Sequence, residues 1–391
     1  MMLLENYDRN HPPRIYVHIP FCRRKCAYCS FYSIPSGLAG ERVRAGYFKR
    51  LASESALIRE YFNGDFPSVY IGGGTPNLPE NIGYVSEILQ ILGNSAEISM
   101  ESNVSFVTED MLDMLRGRIT RLSVGVQSFS RRDRIRIGRY DDTDLLYGVL
   151  LPARKCGVVS ALNLDFITNF DKRERFVPLF SKFAEHCGNS GFELPEHISL
   201  YSLQVEQGTA YSRLVGEGLR AVPDDAAQAR QLKREWEYLA GMGYEHYEVS
   251  AFARSGNYCR HNLGYWTGDG FLGIGSHASS RCYFSDGTGL EIKCGISAAE
   301  YAASNVFSGY ETGHLGRTDI AVELVLAGLR TKFGVSVSRL GELCDPDRLE
   351  RLISFCRKSD GLMVSDGSIR IRDDMMLFCE YYIRRVSDFL E

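Results

Sequence analysis

The 391-residue chain reads as an α/β protein built on a parallel sheet, with a second, smaller α/β unit at its carboxyl-terminal end. Three observations predict this. Six short runs rich in β-branched and aromatic residues alternate with longer stretches of helical periodicity, the pattern of repeated β–α units. The runs end in glycine, cysteine and isolated polar residues rather than in plain turns. From about Thr318 the alternation gives way to helix, helix, hairpin, helix.

The predicted strands are Arg14 to Phe21, Ser68 to Ile71, Glu97 to Ser102, Arg121 to Val126, Val158 to Ile167 and His197 to Leu203. Tyr47, Leu51, Ala52, Ser55 and Ile58, and again Phe176, Leu179, Phe180, Phe183 and Ala184, recur at helical spacing and should cover the outside of the sheet. Asp224 to Leu239 is a helix entered through Pro-Asp-Asp, whose acidic side chains suit a positive helix start. Tyr244 to Tyr283 is aromatic and glycine-rich and is read as an extension of the sheet domain. Beyond it, Ala321 to Arg330 and Pro346 to Phe355 are helices, Leu362 to Ile371 is a hairpin turning at Asp366-Gly367, and Met375 to Leu390 is a last helix. This order predicts a winged-helix-like tail. The expected division is 1–243, 244–317 and 318–391.

A chain of this length accommodates a barrel-sized domain of about 200 to 250 residues and a smaller companion. Its 45 basic and 49 acidic residues leave a net charge of -4, which gives no electrostatic footprint for nucleic acid. The tail mixes both signs, so packing against the barrel is expected over DNA binding. Eleven cysteines, an odd number, in a long chain that opens Met-Met-Leu-Leu-Glu-Asn predict a reducing, cytoplasmic setting. No apolar run approaches the roughly 20 residues of a membrane span.

The chemistry begins at Cys22, Cys26 and Cys29, a C-x3-C-x2-C run leaving the first strand. Thiolates are the usual ligands of iron–sulfur clusters, and three of them on a four-iron cluster leave one iron open. A closed zinc site with His18 as fourth ligand is the alternative. It would leave the other strand ends with nothing to bind, although Gly72-Gly-Gly-Thr-Pro76, Glu101-Ser-Asn103, Gln127-Ser-Phe129, and Asn163 with Asp165 are all suited to binding. In parallel α/β folds such carboxyl-terminal strand ends face one pocket.

The cysteine spacing and its surroundings resemble the radical S-adenosylmethionine superfamily. The resemblance implies a partial (β/α)6 barrel with a 4Fe-4S cluster on the three cysteines. The amino and carboxylate groups of S-adenosylmethionine would chelate the open iron, and reductive cleavage would yield a 5'-deoxyadenosyl radical. Further matches lie with the branch that acts on or binds porphyrins. They imply cosubstrate contacts at Tyr16, at Tyr28 beside the adenine, at Gly73, Gly74 and Thr75 along the methionine moiety, and at Gln127. Glu101 and Asp165 would take the ribose hydroxyls and Arg139 the carboxylate.

Within that branch, His197 to Leu203, Cys259-Arg-His-Asn-Leu-Gly-Tyr-Trp266 and Gly273-Ile-Gly275 are similar to heme chaperones related to oxygen-independent coproporphyrinogen III oxidase. The oxidase has a further cysteine two residues after the triad. Here that place is Phe31. The resemblance therefore implies heme as cargo and an acceptor hemoprotein such as a respiratory-chain oxidase. Homodimerisation and membrane association through the acceptor are compatible with it. Radical decarboxylation of coproporphyrinogen III and a radical methyltransferase activity stand as alternatives. His261 is a candidate axial ligand of heme, with Cys259 as a thiolate alternative, and a hydrogen-bonded structural corner accounts for the same histidine. Tyr265 and Trp266 could stack on a porphyrin or simply pack. The chain departs from the branch at Val104, at Thr168-Asn169-Phe170 and at Ser276-His277, which stays unassigned. The other eight cysteines, among them Cys156, lack the spacing of a second cluster and are expected as small buried hydrophobes.

Overall fold

The computed structural model describes residues 3–141 and 159–390, so Cys156 and Val158 lie outside the described residues. The six predicted strands are all present: Arg14–Ile19, Val69–Gly73, Ile98–Asn103, Arg121–Gln127, Ala161–Thr168 and His197–Ser202. They pair in chain order and in parallel. A seventh parallel strand, Phe271–Ile274, pairs with the first one on its free edge. Antiparallel strands then extend the sheet on both sides. Ser279–Tyr283, Gly289–Cys294 and Tyr310–Leu315 lie beyond Phe271–Ile274, and Ala251–Ala253 and Glu245–Glu248 lie beyond His197–Ser202. Twelve strands thus form one sheet. The segment read as an extension is divided between the two edges of that sheet.

Strand periodicity explains why this sheet curls around a polar interior. Successive residues point to opposite faces. One set, including Ile15, Val17, Val69, Ile71, Met100, Leu122, Val124, Leu164, Ile198 and Leu200, is buried in the main hydrophobic core beneath the outer helices. The other set is polar and lies in register across neighbouring strands. Glu101 pairs with Ser123, Ser123 with Asn163 and Asn163 with His197. Asn103, Gly125, Asp165 and Ser199 form the next row.

Between the edge strand Ala251–Ala253 and the parallel strand Phe271–Ile274, the chain crosses the amino-terminal end of the barrel. The first residues of four successive parallel strands, or their immediate neighbours, hold this crossing. Arg14 binds Asp269, with its Nη2 2.7 Å from Oδ2. Ser68 binds His261, and Glu97 accepts the backbone N–H groups of Arg260 (3.1 Å) and His261 (3.0 Å). Arg121 donates to the carbonyls of Asn257 and Tyr258. The helix Arg260–Thr267 therefore lies under the barrel as a floor. Glu97 satisfies amide donors that every helix start leaves open. At Gly264 an added Cβ would meet the Nε of Arg14 at 1.7 Å, so only glycine lets that arginine cross the helix.

The tail forms its own core, with Leu340, Leu352, Cys356, Ile369 and Ile383 among its buried residues. The hairpin Leu362–Ser365 and Ser368–Ile371 is present, joined by Val335–Ser336 as a third strand. A short helix, Val337–Leu343, was not legible in the sequence, and the final helix is a 3-10 turn, Asp373–Phe378, followed by Cys379–Ser387. The helix Arg317–Gly328 packs on the floor helix. Lys332 N–H donates to the Tyr247 carbonyl, Val249 N–H donates to the Arg330 carbonyl, and Arg281 pairs with Glu323, so the tail is docked on the barrel as expected. No helix among the described residues is long and apolar enough to cross a membrane.

Candidate functional site at the barrel mouth

A cavity of about 630 Å³ opens where the parallel strands end. Cys22, Cys26 and Cys29 line it, as do Tyr28, Gly73, Gly74, Thr75, Glu101, Gln127, Arg139 and Asp165. Of the contacts implied by the resemblance, Tyr16 alone is not on the cavity wall. It stands behind Tyr70, which is, with ring centroids 6.2 Å apart.

The cysteine loop is pinned at its base and middle. Phe21 and Cys22 pair with Ile34 and Pro35, Ala27 N–H donates to the Ile137 carbonyl, and Tyr211 N–H donates to the Ala27 carbonyl. The glycine run lets the second strand's end lie against this loop. Gly74 N–H donates to the Ile19 carbonyl (2.7 Å), Thr75 N–H to the Phe21 carbonyl (2.8 Å), and the Thr75 hydroxyl to the Cys22 sulfur (3.5 Å). A Cβ on Gly74 would meet the Ile19 carbonyl oxygen at 2.7 Å, and one on Gly73 would meet the His18 ring at 2.5 Å. Gly73 also has φ +108°, a conformation that glycine alone adopts without strain.

His18 is not available as a fourth ligand. Its Nε2 donates to the Tyr32 carbonyl at 2.9 Å, its Nδ1 accepts from the Tyr16 hydroxyl at 3.0 Å, and burial holds its pKa down at about 4. The closed zinc alternative thus loses its histidine. All three thiols are half-buried and shifted upward by burial, Cys29 to about 11, with Arg139 opposing the shift at Cys26. Ligation of iron through them would release protons. Three thiols on one rim, a glycine-lined wall and buried carboxylates beneath fit a three-cysteine cluster that carries a polar cosubstrate.

Two carboxylates form the cavity's polar wall. Glu101 accepts from the Tyr70 hydroxyl and the Gly73 amide, each at 3.0 Å. It has no cationic partner among the described residues. Burial pushes its carboxyl up to about 7, with Asp165 adding to the rise and the Gly73 hydrogen bond opposing it. Asp165 is also shifted upward by burial, against hydrogen bonds from Ser123 (2.6 Å) and Asn163 (2.8 Å). Both can accept hydrogen bonds from vicinal hydroxyls. Arg139 donates to the Gly125 carbonyl at 2.6 Å and pairs with Asp141 at 2.6 Å, so its fork is already anchored where it faces the cavity. Gln127 sits at φ 67°, following the bulge that ends the fourth strand and turning toward the cavity.

The sequence missed the supports of these groups. Asn163 is oriented by His197, whose Nδ1 is 2.6 Å from Asn163 Oδ1 and whose Nε2 is 2.7 Å from the Tyr247 hydroxyl. Tyr247 in turn accepts the Cys259 amide. An alternation of apolar and polar residues within each strand was the signal that could have identified Tyr70, Ser123 and His197 as interior.

His261 lies at the floor, away from this cavity. It is fully buried, its Nδ1 is 2.8 Å from Ser68 Oγ, its Nε2 is 2.7 Å from the Tyr265 hydroxyl, and burial lowers its pKa to about 3. The structure thus forms the hydrogen-bonded corner, and ligation of heme through His261 would require breaking both ring hydrogen bonds. Cys259 is buried beside Glu97 and its thiol is raised to about 12. His277 stacks on Tyr32 with centroids 3.8 Å apart. Of the other cysteines, Cys187, Cys259, Cys282, Cys294, Cys356 and Cys379 are buried as expected, and Cys344 is half-buried.

The radical SAM superfamily model matches residues 16–172. The heme chaperone HemW of Escherichia coli is 33% identical over 71% of this chain and 72% of its own length. The heme chaperone HemW of Mycobacterium tuberculosis is 30% identical over 91% of this chain and 90% of its own length. The mouse mitochondrial radical S-adenosyl methionine domain-containing protein 1 is 30% identical over 82% of this chain and 74% of its own length. Among solved structures, the coproporphyrinogen III oxidase HemN of Escherichia coli superposes with a TM-score of 0.75 at 21% identity, covering 99% of this chain and 92% of that one, which bears on the fold. At 30 to 33% identity to the two HemW chaperones, over more than two thirds of both its own length and theirs, the chain belongs to the HemW family of the radical SAM superfamily.

Proposed function

We propose that the protein is a heme chaperone, which binds heme and hands it to an acceptor hemoprotein such as a respiratory-chain oxidase. The observation that carries this reading over the oxidase alternative is Phe31. It lines the mouth of the cavity two residues beyond Cys29 and is 66% exposed, where the oxidase pattern requires a thiol. A phenyl ring at that place can pack against a ligand but cannot move a proton or an electron.

Cys22, Cys26 and Cys29 would hold a 4Fe-4S cluster, and Glu101, Asp165, Gln127, Arg139, Tyr28 and the Gly73 to Thr75 wall would hold S-adenosylmethionine. When bound, the cluster supplies one-electron chemistry and an open coordination position. The chain's own residues bind and orient. Glu101 and Asp165 accept ribose hydroxyls, Tyr70 and Gly73 fix the Glu101 carboxylate, Ser123 and Asn163 fix Asp165, and the apolar cluster around Ile137 and Phe170 backs Tyr28. With the cosubstrate held, the site controls heme transfer or assembly of the chain into dimers. Approach to a membrane occurs through the acceptor.

The test is transfer. Heme-loaded, cluster-reconstituted protein mixed with a heme-free acceptor oxidase should lose its Soret signature as the acceptor gains its own. Accumulation of protoporphyrinogen from coproporphyrinogen III in the presence of cosubstrate and reductant would overturn the reading in favour of the oxidase.

A further inference from the structure

We propose that heme docks on the opposite side of the molecule from the cluster loop, in the cleft between the barrel floor and the carboxyl-terminal domain, with His11 as axial ligand and Arg339 facing a propionate. This rests on the chaperone reading and adds to it a place for the cargo.

The cleft measures about 710 Å³, within the range of about 300 to 1,000 Å³ that small-molecule sites occupy. His11 lines it, with its side chain 84% exposed and its Nδ1 2.7 Å from Asp8 Oδ2. A carboxylate on one ring nitrogen fixes the tautomer, orients the ring and raises the basicity of the other nitrogen, which is how metal-ligating histidines are commonly held. The Nε2 of His11 has no protein partner among the described residues. Three other histidines, His18, His197 and His261, are buried with both ring nitrogens committed. Neutral imidazole is a usual proximal ligand of heme iron.

The walls suit a flat, apolar macrocycle with acidic substituents. Phe284 on one side and Ile320 and Leu343 on the other bring the edges of the two domains together there. The cations of the cleft differ in what they are doing. Arg14 is tied to Asp269 and Ser68. Arg339 is half-buried, lies close enough to Tyr283 to affect its ionisation, and has no acidic partner among the described residues, although Glu342 lines the same cleft. An unpaired guanidinium beside apolar walls is matched by a carboxylate on the ligand. The sulfur of Cys282 points to the Asn6 carbonyl at 2.6 Å and offers no competing thiolate.

The experiment is a heme titration, followed by its Soret band, of the full-length, cluster-reconstituted chain, its His11→Ala and Arg339→Gln variants, and the parent with heme dimethyl ester. The His11 side chain is exposed, so its loss leaves the fold in place. His11→Ala should weaken heme binding at least about tenfold, and added imidazole should restore the parental Soret position. Arg339→Gln should weaken heme binding by about fivefold while leaving the dimethyl ester unaffected. Parental affinity and Soret position in His11→Ala, or weakening that imidazole does not rescue, would overturn the site and leave the chaperone reading standing. Absence of saturable heme binding by the parent would overturn both.

Discussion

The two ends of the barrel are built from the same residue types and are used differently. At the floor, Glu97 is met by Arg121, by two backbone amides and by Ser99, and His261 is met on both nitrogens. At the mouth, four residues further along the same strand, Glu101 receives one hydroxyl and one amide and no cation among the described residues. Both carboxylates are held by the protein, but only the one at the mouth keeps acceptor capacity for a ligand. In this pair, unused hydrogen-bonding capacity distinguishes a carboxylate that can bind a ligand from one that holds the fold better than residue identity does.

The largest effect should come from emptying the mouth of thiols. A Cys22→Ala, Cys26→Ala, Cys29→Ala variant should bind no cluster iron and lose the broad absorbance at roughly 400 nm. Unchanged iron content would remove the mouth from the comparison. At the floor, Glu97→Ala leaves Arg121 buried without its carboxylate and should cost about 3 kcal/mol or more in urea unfolding. A change near zero would mean that the floor is not held by this pair.

Acid titration sharpens the contrast at Glu101. Its folded-state pKa, about 7, lies above the ordinary carboxyl value, so the folded state binds the proton more tightly than the unfolded one. That contribution is fully present below about pH 4.5 and is lost as pH rises through about 7. Glu101→Gln should remove roughly 2 to 3 kcal/mol of this dependence from a stability profile taken across that window. An unaltered profile would show that the mouth carboxylate is already charged. His261→Ala should lower stability by about 2 kcal/mol, by stranding Ser68 and Tyr265, and should leave heme affinity unchanged. A lost Soret band in that variant would make the floor histidine itself, rather than His11, the ligand of the iron.

Much of the mouth was legible in the sequence because its chemistry is local. Cys22, Cys26 and Cys29 lie within one loop, Glu101 and Asp165 lie within recognisable β runs, and Gly73 and Gln127 lie at the ends of two others. The floor was not legible, because its logic is long-range. Phe271–Ile274 is four residues long and becomes a parallel strand only through pairing with Arg14–Val17. His261 looks the same in sequence whether it binds iron or Ser68. The short helix Val337–Leu343 was likewise hidden, since only Leu340 within it is buried.

The crossing beneath the barrel also bears on how the protein is made. The first strand finds its second neighbour only at Phe271–Ile274, so on a chain emerging from the ribosome one of its edges stays unpaired through most of synthesis. That edge leads directly into the cysteine loop. Open strand edges attract other chains. Slow elongation should therefore prolong the vulnerable interval, and a chain interrupted before Phe271 should aggregate through its first strand rather than through its tail.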